Sequence, residues 1–241
     1  MDGEYYITSD IYINIKNKNM FHLNGIKLNA ENWLIYLEDY GYTPLDIEWN
    51  LRLECDGPGF GLIECGANGD CLFHVIAEAL NFDKIMHEGA SDLYSVESLR
   101  EIVAMGITEE NFEMIIESYK LEYLSYDFNG DWDPHEMETV EDLRNELRKS
   151  GDNFWGDQTV LQLLQDTLEF NSIILKSDEP VIYPMASDID KYDKTIVFYY
   201  LSDIHFQLVS YFNGHYLETM YRDGIPEDLL LAYQSDTNNI S

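Results

Sequence analysis

In the stretch CGANGDCLFHVIAEALN, residues 65–81, two glycines, an asparagine and an aspartate crowd in front of Cys71, and an apolar run starts directly behind it. A thiol at such a junction has a chemical use. The thiolate is the nucleophile, an unperturbed thiol has a pKa of about 8.5, and a helix N-terminus lowers that value through its unpaired N–H groups and macrodipole. The turn ANGD supplies further backbone N–H groups, those of Gly69 and Asp70 among them, facing the same spot. Gly66 and Gly69 let that backbone come close. Such a loop can bind the oxyanion of a tetrahedral intermediate, so nucleophile and oxyanion hole would share one turn. A buried cysteine that merely packs at a helix start fits this local pattern equally well.

The other two cysteines, Cys55 and Cys65, precede no turn–helix junction and read as structural. Three cysteines without CxxC or Cys/His ligand spacing argue against a disulfide framework and against structural zinc, and no cofactor is implied. A thiolate needs a base, and six histidines are available. His74 lies almost a turn beyond Cys71 and suits packing or the substrate side. His22, His87 and His135 lie in polar, loop-like surroundings. His205 opens the run HFQLVSYF after a polar turn, so its ring could project from a sheet end. His215 begins the next run and suits a half-exposed turn.

The elements that must position these groups change period along the chain. Residues 29–42 carry an apolar helical face at Trp33, Leu34, Leu37 and Tyr40, and 44–54 suit a second short helix. DGPGFGLIEC (56–65) reads as a turn and a strand, followed by the motif helix from about Asp70 to Leu80. Helices are expected at 95–106, at 108–124 behind a Thr108–Asn111 cap, at 138–151, and at 155–170 behind an Asp157 cap. Then short β-branched and aromatic runs take over at 171–177, 194–201, 205–212 and 215–221, the last two joined by an Asn-Gly turn. Residues 225–236 close with a helix whose Pro226 sits at the first turn. This is an α/β pattern, an α+β sandwich with a mixed sheet packed between helices. Residues 1–55 read as an N-terminal extension and 56–241 as the catalytic domain.

Composition bounds the partners. The chain has 241 residues, 45% hydrophobic and 14% aromatic, enough for a substantial core. Its 46 acidic against 14 basic residues give a formal charge of −32. That surface repels phosphate backbones and anionic lipids, which argues against nucleic acid and membrane partners and favours a cationic protein or peptide. Simple solubility explains the acidity equally well. The first residues lack a signal peptide's basic start and apolar centre, and no run approaches the roughly 18 apolar residues of a membrane span. The expectation is a reduced, soluble, intracellular protein.

NGDCLFHVI (68–76) resembles the Asp-Gly-x-Cys block of the ovarian tumour (OTU) family of cysteine proteases, which are mostly deubiquitinases. WGDQTVLQLLQDTLEFNSIIL (155–175) resembles that family's Trp-Gly, helix and strand segment, and IHFQLV (204–209) is similar to its closing histidine segment. The blocks occur in the family's order and span roughly residues 58–221. The resemblance implies a papain-like OTU fold, Cys71 as nucleophile and His205 as general base. It puts Asn68 in the place of the motif aspartate that shapes the oxyanion loop. Gln207 stands where an acidic residue or Asn often follows the histidine. Residues 205 and 207 of a strand share a face, so the Gln207 amide oxygen could accept from the imidazole; Asp56 and Asp70 are the next candidates for that role. The implied partners are ubiquitin or polyubiquitin chains, with ubiquitin-like modifiers open. The alternatives are a weakly active or inactive ubiquitin-binding module and a papain-like peptidase with another substrate.

Overall fold

Runs of β-branched and aromatic residues in the last third of the chain build most of one mixed sheet. The computed structural model describes the chain apart from residues 1–4, 9–10, 18–19, 24–25, 28–30, 39–40, 54–58, 68, 89–91, 126–127, 129, 184–188, 203, 214–215 and 238–241, and within 5–27 it describes the backbone alone. The described chain falls into two compact units. Unit 1 comprises Met1–Cys65, Glu78–Leu93 and Phe170–Ser241, and unit 2 comprises Gly66–Ala77 and Tyr94–Glu169.

In unit 1, strands β1 (Tyr5–Thr8), β2 (Ile11–Asn17), β3 (Met20–Leu23) and β4 (Ile26–Lys27) form a four-stranded sheet in chain order. The larger sheet runs β5 (Tyr42–Pro44), β6 (Phe60–Ile63), β10 (His205–Phe212), β9 (Lys194–Leu201), β7 (Phe170–Lys176), β8 (Ile182–Tyr183). Its β7–β9 pair is parallel and its other pairs are antiparallel. Two short strands complete it: β11 (Tyr216–Leu217) on β10 and β12 (Met220–Tyr221) on β9. The fold is therefore of the expected α/β class, with a mixed sheet.

Successive residues of a strand point to opposite faces, and the near-continuous burial of β6 and β7 shows both faces of the sheet covered there. One face joins Phe60, Leu62, Ile173, Val197 and Val209 to Trp49 of α2 (Ile47–Arg52) and Leu229 of α8 (Glu227–Thr237) in one core. Trp49 is 1% exposed and donates its indole N–H to the Lys176 carbonyl at 2.6 Å, which satisfies the polar end of a large buried ring. Asp46 caps α2 by accepting from the N–H groups of Glu48 and Trp49. On the opposite face, Trp33 of α1 (Trp33–Leu37) stacks on Phe212, and Phe82 meets Tyr216 edge-on. Phe82 belongs to α3 (Cys71–Glu88), whose first seven residues lie in unit 2.

Unit 2 is helical: α4 (Val96–Gly106), α5 (Phe112–Ser125), α6 (Val140–Arg148) and α7 (Gln158–Leu168). Local side-chain chemistry sets each start. Ser95 with Ser98, and Thr139 with Asp142, form reciprocal capping boxes, and Asp157 accepts from the Val160 N–H at the start of α7. At α5 the Asn111 side chain accepts from the Thr108 N–H at 2.7 Å, one half of the expected box. α4 packs on α6 and α7, burying Leu99, Val103, Leu143, Leu147, Val160 and Leu164.

Three elements differ from expectation. Helix α3 continues to Glu88, past Leu80, because its polar residue Asp83 is buried and finds Lys194 at 2.7 Å and the Tyr221 hydroxyl at 2.8 Å. The run 215–221 breaks into β11 and β12 at Glu218 and Thr219, both buried. Strand β5 forms inside the stretch read as two helices. Pro226 immediately precedes α8, its carbonyl accepting from Leu230. Among the described residues, no helix is long and apolar enough to cross a membrane.

Candidate active site

The candidate nucleophile, Cys71, belongs to unit 2. Asp70 closes the turn: its carbonyl accepts from the His74 N–H at 2.9 Å, so Cys71 is the first residue of α3, as the sequence pattern predicts. The opening N–H groups of α3 have no intrahelical partner and carry the positive end of its dipole. Cys71 itself is buried, at 5% exposure, with Leu72 and Phe73 fully covered behind it.

A buried ion pair fixes this turn. Arg100 of α4 is fully buried and forks onto one oxygen of the Asp70 carboxylate, from Nε at 2.8 Å and Nη2 at 2.5 Å. The other Asp70 oxygen accepts from the Gly151 N–H at 2.7 Å. Arg100 also donates to the carbonyls of Leu147 and Phe154, and its guanidinium lies 4.2 Å from the centre of the Phe73 ring. The buried cation thus ties the Asp70 turn to the end of α6 and to the Phe154 backbone. Both Asp70 carboxylate oxygens are committed to that scaffold.

Close approach explains the glycines. Gly69 has φ +78°, and a β-carbon there would come within 2.3 Å of the Gly151 carbonyl oxygen. A β-carbon at Gly156, in the Trp-Gly block, would meet the Leu72 side chain at 2.5 Å. At Gly66 it would strike the His74 ring at 2.5 Å, which identifies His74 as a packing residue over the turn. Asn68, Cys55, Asp56 and His215 lie outside the described residues, and His22, expected in a loop, lies in β3, where the backbone alone is described.

The candidate base, His205, belongs to unit 1. His205 is the first residue of β10, and its Nε2 is 2.9 Å from both carboxylate oxygens of Glu64. Gln207 directs its amide nitrogen to the same carboxylate, Nε2 to Oε2 at 2.9 Å. The expected link from Gln207 to the imidazole is therefore replaced by a link from Gln207 to Glu64. Sequence reading missed Glu64, and the signal that finds it is strand register. Ile63 pairs with Leu208 and Leu62 with Val209, so one further step puts Glu64 opposite Gln207 and diagonal to His205.

Cys65, next along the chain, points the other way. Burial foremost, and then the Glu78 carboxylate, push its thiol well above the ordinary range, so it stays protonated and inert. It shares this pocket of charge with Glu78, pushed up to about 7 by burial, and Glu218, pushed up by burial and by Glu78. Glu218 accepts from the hydroxyls of Tyr42 and Tyr216, while its second oxygen and one oxygen of Glu78 are buried without a hydrogen-bond partner. Among the described residues, no cluster of His, Cys, Asp and Glu could hold a metal ion.

No protein-family model and no curated protein matches the chain. Among solved structures, it is similar to an ovarian tumour (OTU) domain in complex with ubiquitin, at 18% identity over 75% of this chain and 86% of that one, with a TM-score of 0.49. It is also similar to an OTU deubiquitinase from Wolbachia pipientis wMel, at 12% identity over 71% and 94%, with a TM-score of 0.40. A third is the Hazara virus OTU bound to ubiquitin, at 12% identity over 71% and 89%, also with a TM-score of 0.40. All three of these solved structures are OTU domains.

Proposed function

We propose that this chain is a cysteine-dependent deubiquitinase that hydrolyses isopeptide bonds at the C-terminal glycine of ubiquitin. The observation that carries the proposal is Cys71 at the first position of α3, behind a turn held by the Asp70–Arg100 pair. A helix start favours an anion at the sulfur, and a turn of this kind is where backbone N–H groups can meet the oxygen of a bound acyl group. The motif order and the His205–Glu64 pair support a base for the same reaction.

In this reading the Cys71 thiolate adds to the carbonyl carbon of the ubiquitin glycine, and the negative charge moves to oxygen. As the tetrahedral intermediate collapses, the C–N bond breaks and the imidazolium of His205 gives its proton to the departing lysine amine. Water then attacks the thioester, His205 takes the water proton, and the thiolate leaves. The formal charge of −32 suits a substrate whose tail is basic.

One observation favours a second reading, a ubiquitin-binding module without activity: Cys71 is only 5% exposed. Hydrolysis of polyubiquitin by the wild type and by Cys71→Ala separates the two. The enzyme reading expects cleavage by the wild type, loss of at least about 10³-fold in the variant, and unchanged ubiquitin binding. Binding without cleavage by the wild type supports the module.

A further inference from the structure

We infer that Glu64 is the positioning residue for His205, and that Gln207 acts on the Glu64 carboxylate and not on the ring. The inference rests on the proposed role of His205 as base and names the group that makes one ring nitrogen the reactive one.

The geometry comes from two adjacent strands. Beyond the last β6–β10 pair, Glu64 falls opposite Gln207, where cross-strand side chains stand closest. His205 is two residues away on the same face of β10. From that position Glu64 brings both oxygens to 2.9 Å from Nε2 of His205, while one of them also accepts the Gln207 amide N–H at 2.9 Å. Gln207 thereby limits rotation of the carboxylate, and the carboxylate limits rotation of the imidazole.

The chemistry follows from what a carboxylate can do. Ionised, it only accepts hydrogen bonds, so the nitrogen facing it carries the proton in the neutral ring. Nε2 is therefore the protonated nitrogen and Nδ1 holds the lone pair, which makes Nδ1 the atom that accepts and returns the catalytic proton. The same carboxylate stabilises the imidazolium once Nδ1 is protonated, which a neutral Gln207 amide in its place could not do. The Glu64 side chain is 49% exposed and that of His205 19% exposed, so water screens the pair. The effect of removing Glu64 is accordingly smaller than the about 10⁴-fold loss for a buried triad aspartate. A fall in kcat of about 10²-fold is expected, with KM little changed.

The test pairs a spectroscopic readout with kinetics on the full chain. Ring ¹⁵N shifts of His205, recorded where the imidazole is neutral, should show the Nε2–H tautomer in the wild type. In Glu64→Ala the ring should become a mixture of tautomers as kcat falls. In Glu64→Gln the amide oxygen still accepts from Nε2–H, so the tautomer should be kept while part of the rate is lost with the charge. Gln207→Ala should move both readouts less than Glu64→Ala. An unchanged tautomer and rate in Glu64→Ala would overturn the inference. A tautomer shift in a protein that never cleaves ubiquitin would leave the Glu64–His205 relationship standing and sink the deubiquitinase reading instead.

Discussion

The Arg100 guanidinium and the Asp70 carboxylate meet at 2.8 and 2.5 Å, and through the other Asp70 oxygen the pair reaches the Gly151 N–H. One buried ion pair therefore ties the residue before the candidate nucleophile to a loop far away in sequence. Removing one partner of such a pair leaves a buried charge uncompensated, at roughly 3–5 kcal/mol. Asp70→Ala should lose stability in that range, with Asp70→Asn milder because one oxygen acceptor stays. Arg100→Lys should resemble the alanine variant, since a point charge cannot serve Asp70, Leu147 and Phe154 together. Urea unfolding reads the stability. Loss below 1 kcal/mol in Asp70→Ala would mean that the pair does not hold the turn.

Gly69→Ala tests the turn without touching a charge. The left-handed backbone there costs a non-glycine residue roughly 1–2 kcal/mol, and the added methyl would meet the Gly151 carbonyl oxygen at 2.3 Å. The variant should melt lower and react more slowly at Cys71, because the loop must shift to admit the β-carbon. Wild-type melting and reactivity in Gly69→Ala would contradict this picture of the turn.

The buried carboxyls set a pH dependence of stability. Burial raises Glu78 to about 7, and Glu218 is raised as well. A carboxyl with a folded pKa above its unfolded value binds its proton more tightly in the folded state. Its contribution is therefore full below about pH 4.3 and is lost as pH rises through about 7. At about 1.4 kcal/mol per pKa unit, the loss for Glu78 is on the order of 3 kcal/mol. The neighbouring groups, Cys65, Tyr42 and Tyr216, offer no cation to offset it. Unfolding free energy should fall between pH 5 and pH 8, and Glu78→Gln should flatten that slope. A stability that rises over the same interval would contradict the assignment.

Much of this architecture was legible in the residues for local reasons. Helices α4, α6 and α7 announce themselves by side-chain caps and a 3.6-residue apolar period, and β9 and β10 by runs of β-branched and aromatic residues. The turn before Cys71 was legible because Gly69 is needed there for its conformation. What stayed hidden depends on partners distant in sequence. Asp83 looks like the end of a helix until Lys194 and Tyr221 are seen beside it. Glu64 carries no motif, and its pairing with His205 follows from strand register, which no local pattern encodes. Strand β5 is three residues long, too short for a period to show, and it exists because β6 offers it an edge.

Reaction with a ubiquitin whose C-terminus carries a thiol-reactive electrophile tests the central claim most directly. The proposed chemistry requires one covalent adduct per chain, mapped by peptide mass spectrometry to Cys71, absent in Cys71→Ala and strongly slowed in His205→Ala, with Cys65 unmodified in all three. No adduct on a folded wild-type protein that still binds ubiquitin, or an adduct that persists in Cys71→Ala, would contradict it.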